Sequence, residues 1–354
     1  MALVLSVERS SGPAGDVSVR VGHPLLDDYL VFLAGRARPN SVLAVAFDLK
    51  VFFTRAQKEP AEVTSRDIVN FVAAQRAPRA QSKVVRISDG GAGLSARTVA
   101  RRLSSLSGLF AYLVVRGDAG VTVSPVPRGL ITRRDRRNGG RRAPLVRRPT
   151  LLPRVLEPAE VDALVGALRT RRDRAMVEAM VLGGLRRCEV LGLRMADLRV
   201  AERKAFIADG KGGRQRVVPV SARFFTSVAA YLDDERPADA ATDAVFVVLK
   251  GGRRGQPLSA YGLDEVVELA RGRAGLAHAT CHELRHTCLT RLREAGMALE
   301  AVQAQAGHRS IESTRIYLHL SNDWLAGEYH RAVALIDADM AAIAEMIAAQ
   351  ELVG

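Results

Sequence analysis

The sequence predicts a mainly α-helical protein with one small antiparallel β-sheet, an α+β chain built in two domains. Three observations carry that reading. Apolar residues recur at helical spacing through most of the 354 residues. One window, from Asp197 to Val220, switches to short β-rich runs around a Gly-rich turn, "KAFIADGKGGRQRVVPV", as a hairpin requires. A chain of this length that is 48% hydrophobic can bury two cores, and a stretch of arginine, glycine and proline lies between the two periodic regions.

The elements follow in order. Residues 1–22 read as an N-terminal extension and 23–117 as a helical domain. Pro39-Asn40-Ser41 opens a periodic run through Phe53, and Thr64 stands as the N-cap of a helix reaching about Gln75. Proline, glycine and charge break the pattern over 76–94, which reads as a loop. The helix after Ser95 puts Val99, Leu103, Leu106, Phe110 and Leu113 on one stripe, and Gly117 closes it. Arg97, Arg101 and Arg102 crowd its first turns; a solvated face and a DNA-facing surface both fit them.

Residues 118–154 read as a basic interdomain linker. After it, 155–323 form the second domain: a helix in "LEPAEVDALVGAL" with Pro158 near its start, another through Met180, the hairpin, then helical signals at Ser259, Thr280, Met297 and Ser310. The tail, 324–354, is Ala-rich with Leu335, Ile336, Met340, Ile343 and Ile347 at helical spacing. Packing on its own domain and contact with another protomer both fit this helix.

Charge narrows the partners. The chain holds 52 Lys and Arg against 38 Asp and Glu, a net +14. From Arg128 to Arg154 there are ten arginines and one acid, Asp135, which accounts for +9 of that total. Such an excess favours a polyanion, nucleic acid before an acidic membrane surface. Arg133, Arg134, Arg136, Arg137, Arg141 and Arg142 are the linker candidates for phosphate contacts, and a solvated linker is the competing reading. The three cysteines, 188, 281 and 288, form no C-x-x-C pair, so neither a disulfide framework nor a thiolate zinc site is expected. There is no secretory cleavage signal and no apolar run of about 18 residues, so a cytoplasmic protein without a membrane span is expected.

The stretch His282–His286 reads "HELRH" and has two incompatible readings. As H-E-x-x-H it would hold zinc, with Glu283 as general base. A third ligand would still be needed, and the positions of the extended zinc motif are filled by Leu289 and Leu292. Glu283 also completes T-x-x-E with Thr280, a capping box. As H-x-x-R the stretch is phosphate chemistry. His282 and Arg285 share one face at a helix start, where backbone amides favour an anion. Breaking a DNA strand without metal requires a nucleophile and fixed donors for the charge of a five-coordinate phosphorus. Arginine supplies a rigid fork that stays charged, histidine a proton carrier, and lysine an acid for the leaving oxygen. The chain carries each part: Arg186 with Glu189 in "GGLRRCEVLGLR", Lys211 at the hairpin tip, His308 in "GHRSIESTRIY" and Tyr317 nine residues further on.

Together these motifs resemble the tyrosine recombinase, or phage integrase, family: Gly184-Leu185-Arg186 with Glu189, Gly210-Lys211-Gly212, His282-Glu283-Leu284-Arg285-His286, Gly307-His308, and Thr314 followed by Tyr317. Order and spacing agree from about residue 157 to Leu320, and 23–117 is similar to the family's core-binding domain. The resemblance implies that Tyr317 attacks the scissile phosphate to give a 3′-phosphotyrosine and a free 5′-hydroxyl. Arg186 and Arg285 would clamp the phosphate, His282 and His308 assist, and Lys211 protonate the leaving oxygen. Glu189 and His286 would support them, and Arg187, Arg214 and Arg216 would be basic surface touching phosphates. No metal or other cofactor is implied, and the chain has no G-x-x-x-x-G-K-[ST] loop for ATP. The partners implied are a double-stranded DNA site and further copies of the chain, four protomers on two sites. The short segment before the first helix suggests the two-domain type, as in Xer-like, integron and transposon recombinases. Integration, excision, transposition and dimer resolution stay open. So do a type IB topoisomerase, a non-catalytic DNA-binding protein of this fold and, remotely, a zinc hydrolase.

Overall fold

The computed structural model describes residues 3–11, 17–77, 93–127, 145–146, 154–208, 215–308, 311–314 and 333. Lys211, Arg214, Tyr317, the linker arginines from Arg133 to Arg142, most of the loop 76–94 and nearly all of the tail 324–354 lie outside them. The chain divides into two compact units, Met1–Thr150 and Leu151–Gly354. It is mainly helical with small antiparallel sheets, as its periodicity predicts.

The first unit opens with a strand pair, β1 (Glu8–Ser11) and β2 (Val17–Arg20), antiparallel with Glu8 opposite Arg20. The segment read as an extension is thus part of the fold. Alternation explains it: Ser18 and Arg20 face solvent while Val19 and Val21 are buried beside Leu5. Four helices follow, α1 (Pro24–Ala34), α2 (Pro39–Ala56), α3 (Ser65–Arg76) and α4 (Ala96–Arg116). Their starts are set locally. Thr64 accepts from the Asp67 amide, Asp67 returns the bond to the Thr64 amide at 2.8 Å, and Ser95 accepts from Thr98. Gly117 ends α4 in the left-handed region. The core is made by Leu26, Leu30, Leu49, Phe52, Ile68, Leu106, Leu109 and Phe110, with Phe52 edge-on to Phe53 and Phe71 at 5.0 and 5.1 Å.

Two of the arginines offered as a DNA face or a solvated face are paired with an acid within the unit. Asp48 on α2 is 1% exposed and bonds Arg101 at 2.7 Å and the Ser105 hydroxyl at 2.8 Å. Arg102 stands 3.6 Å from its other oxygen and also bonds Gln75. A buried carboxylate needs cations, and these two lie on α4 one helical turn before Ser105, which bonds the same carboxylate. Arg97 remains exposed.

In the second unit α5 (Pro158–Gly166), α6 (Arg171–Val181) and α7 (Arg187–Leu191) precede a three-stranded antiparallel sheet. Its strands are β3 (Leu198–Arg199), β4 (Lys204–Ile207) and β5 (Arg216–Pro219), in that spatial order. The hairpin read from sequence is β4–β5; β3 extends it. Then come α8 (Ala222–Asp234), α9 (Ala260–Arg273), α10 (Cys281–Glu294) and α11 (Leu299–Ala306). Helix α6 is buried over most of its length, with Met176, Val177, Ala179 and Met180 in the core alongside Phe224, Tyr231 and Phe246. No helix among the described residues is long and apolar enough to cross a membrane.

Candidate active site

Helix α10 carries the first two groups. Thr280 caps it, accepting from the Glu283 amide at 3.2 Å. The return leg of the capping box is absent: Glu283 Oε2 is buried without a hydrogen-bond partner. His282 sits exposed on the first turn, whereas Arg285, one turn on, is 3% exposed. The Arg285 fork donates to the Gly184 carbonyl, to the Ala306 carbonyl at 2.5 Å and to His308 Nε2 at 3.3 Å. It therefore ties together the two loops that bear Arg186 and His308. Gly184 is at φ +67°, and a Cβ there would stand 3.2 Å from Leu289 Cδ2, so the glycine before Leu185-Arg186 serves both conformation and space.

Glu189 is the centre of the arrangement. Its carboxylate is completely buried. Arg186 donates its amide to Oε2 at 2.9 Å and Nη1 to Oε1 at 2.6 Å. Arg216, the first residue of β5, takes both oxygens at 2.9 Å. Arg285 Nη1 stands 3.8 Å from Oε2. Burial pushes the carboxyl up, but the Arg216 hydrogen bonds, the Arg186 amide and both guanidinium charges outweigh it and hold it at about 2. Three guanidinium groups thus converge on one carboxylate and leave a surplus of positive charge, which is what a phosphate receptor needs.

His308 follows Gly307, whose φ of +57° turns the chain at the end of α11. A guanidinium can only donate, so His308 Nε2 accepts from Arg285 and its proton sits on Nδ1, donated to Thr314 Oγ1 at 3.0 Å. Gln305 donates to the Gly183 carbonyl at 2.8 Å and the Pro219 carbonyl at 3.0 Å, joining α11 to the Arg186 loop and β5. His282 and His286 are hydrogen-bonded through their Nε2 atoms at 2.8 Å. Burial first, then the charges of His282 and Arg285, lowers His286 to about 4, so it is neutral at pH 7. Among the described residues no three His, Cys, Asp or Glu side chains come together as metal ligands, so the zinc reading lacks its third ligand there.

The structure thus brings together Arg186, Glu189, Arg285 and His308, with His282 and His286 on the adjoining turn of α10. Arg187 lies apart from them, paired with Asp264 at the surface. Two partners were missed. Arg216, read as basic surface, is turned inward; the available signal was its two-residue spacing from Val218, which puts it on the buried face of β5. Thr314, noted only as a motif letter, is fully buried and holds His308.

Comparison with known proteins gives this set a family. Residues 154–323 match the phage integrase family and 26–117 its N-terminal SAM-like domain. A tyrosine recombinase XerC from Roseiflexus sp. (strain RS-1) is 31% identical over 298 residues, covering 80% of this chain and 84% of that one. The chain belongs to the tyrosine recombinase family. A tyrosine recombinase XerD from Listeria monocytogenes serotype 4b (strain F2365) is 30% identical over 315 residues, 84% of this chain and 94% of that one. The fold is shared with the Tn1549 transposon integrase in complex with transposon right end DNA, at TM-score 0.64 and 18% identity over 88% of this chain and 100% of that one. It is shared too with the XerH site-specific recombinase bound to palindromic difH substrate, at TM-score 0.60 and 20% identity over 82% of this chain and 78% of that one.

Proposed function

We propose that this tyrosine recombinase cuts and rejoins DNA strands at a specific site with Arg186, Lys211, His282, Arg285, His308 and Tyr317 as its catalytic residues. The observation that carries the assignment is the buried Glu189 carboxylate holding Arg186 beside Arg285 and His308. The scissile phosphate docks on the two arginines. The Tyr317 oxygen attacks phosphorus, its proton passing to a neighbouring base, and the 5′ oxygen leaves with a proton from Lys211. A free phenol has a pKa of about 10, so the surrounding cations serve to favour the phenolate. The phosphotyrosyl bond conserves the phosphodiester energy, so rejoining by a second 5′-hydroxyl needs neither ATP nor a metal.

The domain scheme that supports this chemistry is a core-binding domain over 23–117, a linker over 118–154 lying along phosphates, and a catalytic domain over 155–323. Four protomers on two DNA sites, with the 324–354 helix contacting a neighbour, complete the proposed synapse, in the cytoplasm. The test uses a duplex selected by the protein from a random library, nicked so that cleavage traps the enzyme, in EDTA. A covalent complex with wild type, absent in Tyr317→Phe with DNA binding retained, is expected. No complex on the selected site would remove the catalytic reading.

A further inference from the structure

We infer that Gln305 is a positioning residue for strand cleavage, a neutral brace that holds the turn bearing Arg186 against the turn bearing His308. The inference rests on the catalytic assignment above and adds a residue to it. Helix α11 turns an apolar face inward, with Val302 and Ala306 completely buried, and Gln305 stands on that face at 6% exposure. Helical spacing calls for an apolar side chain there. A buried amide is costly unless its polar atoms are bonded. The Gln305 NH2 group has two hydrogens, and each meets a carbonyl of another segment: Gly183 at 2.8 Å and Pro219 at 3.0 Å.

The turn before Arg186 offers little else to grip. A Cβ on Gly183 would stand 2.8 Å from the Ala179 carbonyl oxygen, and Gly184 sits at φ +67°. Neither position suits a side chain, so this turn is held through its backbone. Its carbonyls are taken in sequence, Gly183 by Gln305 and Gly184 by Arg285. On the other turn, Ala306 gives its carbonyl to Arg285, and Gly307 gives its own to Arg186 at 3.2 Å. Side chains thus lace the two turns together. Gln303 closes the second turn on itself, donating to the His308 carbonyl at 3.2 Å.

The laces differ in kind. Arg186 and Arg285 are charged, lie beside Glu189 and, in the proposed reaction, also receive the phosphate. Gln305 is neutral and has no part in that exchange. Its two bonds therefore hold the turns at one separation whichever oxygens the arginines face. Pro219 ends β5, so the same amide fixes the strand end to both turns.

The experiment measures the first-order rate of covalent complex formation at saturating DNA on the nicked selected duplex. Proteins compared are wild type, Gln305→Met, Gln305→Asn, His308→Gln and the double variant Gln305→Met/His308→Gln, each with DNA affinity and melting temperature. Methionine fills a similar space without a donor. Gln305→Met is expected to slow cleavage by about 20-fold, at a temperature where it is fully folded, while DNA affinity changes less than about 3-fold. A substitution that only loosened the core would lower the melting temperature and leave the rate per folded molecule unchanged. Asparagine keeps the amide but is one methylene short, so Gln305→Asn should fall between wild type and Gln305→Met. In the His308→Gln background, Gln305→Met should slow cleavage by less than about 5-fold, because the turn it places no longer carries its histidine. A wild-type rate in Gln305→Met, or the same fold-loss with and without His308, overturns the inference. If Gln305→Met does not fold, Gln305→Asn decides: slower cleavage at unchanged affinity supports the role and a wild-type rate rejects it. Failure of the wild-type protein to form any adduct would sink the cleavage assignment, and this inference with it.

Discussion

Each unit has a buried carboxylate on which two or more arginines converge, Asp48 and Glu189, and the two clusters behave in opposite ways. Asp48 in the first unit is 1% exposed, yet its carboxyl is pushed up: burial outweighs the Ser105 hydrogen bond and the charges of Arg101 and Arg102. Glu189 in the second unit is as deeply buried, yet is held down at about 2. The difference is geometry. Arg101 is half-exposed and its charge is screened, while Arg102 lies at 3.6 Å. Glu189 instead receives four hydrogen bonds from two partly buried arginines, with Arg285 beside them. In the first unit arginines neutralise an acid that ties α2 to α4. In the second an acid assembles arginines whose combined charge exceeds its own. Burial of a carboxylate does not mark a working site; a fixed surplus of cation around it does.

The comparison can be broken most sharply at Arg285. Arg285→Ala should lower the rate of covalent complex formation by about 10³-fold, whereas Arg101→Ala should leave it within about 3-fold, in the same single-turnover assay. Stability should divide the clusters next. Glu189→Gln removes the anion from three converging guanidinium groups and should cost about 3 kcal/mol, while Asp48→Asn keeps the hydrogen bond to Ser105 and should cost about 1 kcal/mol, read from urea midpoints.

Acid should then move the two units in opposite directions. Glu189 stabilises the fold fully above its ordinary 4.5, and that share is lost as pH falls toward 2. His286 acts earlier with the same sign: the unfolded chain takes up a proton below the ordinary 6.5, the folded chain only near 4, so stability declines between those values. Asp48 has the reverse sign, because protonation relieves its burial and favours the folded unit. Hydrogen exchange in the full chain from pH 7 to 5, corrected for intrinsic rates, should show the α10 core losing protection and the α2–α4 core keeping or gaining it. His286→Gln should flatten the decline in α10. The smallest expected effect concerns thiols. Burial pushes Cys281 and Cys288 up to about 12, so iodoacetamide at pH 7.5 should modify only the exposed Cys188 until the protein is unfolded.

What sequence reveals here is local. Thr64, Ser95, Thr280 and Gly117 declare helix ends because each cap acts within one turn, and all four do so in the structure. The Gly-Leu-Arg, His-x-x-Arg and Gly-His motifs could be lined up because their order in the chain is itself the signal. The pairing of Asp48 with Arg101 spans 53 residues and could not be read from either segment. Arg216 was misread for a related reason: a charged residue on a strand is assumed to face water, and only the distant Glu189 turns it inward. Helix α8 was passed over although Phe224, Val228 and Tyr231 recur at helical spacing, and the β1–β2 pair was too short to register. Lys211 and Tyr317 rest on sequence alone, so the chemistry they are assigned falls to experiment.

The most direct test of the central claim is to digest the trapped protein–DNA complex and locate the modified residue by mass spectrometry. The account predicts a deoxynucleotide 3′-phosphate joined to the Tyr317 oxygen, formed in EDTA and without ATP. A phosphodiester on any other residue, or cleaved DNA with no covalent adduct at all, would contradict it.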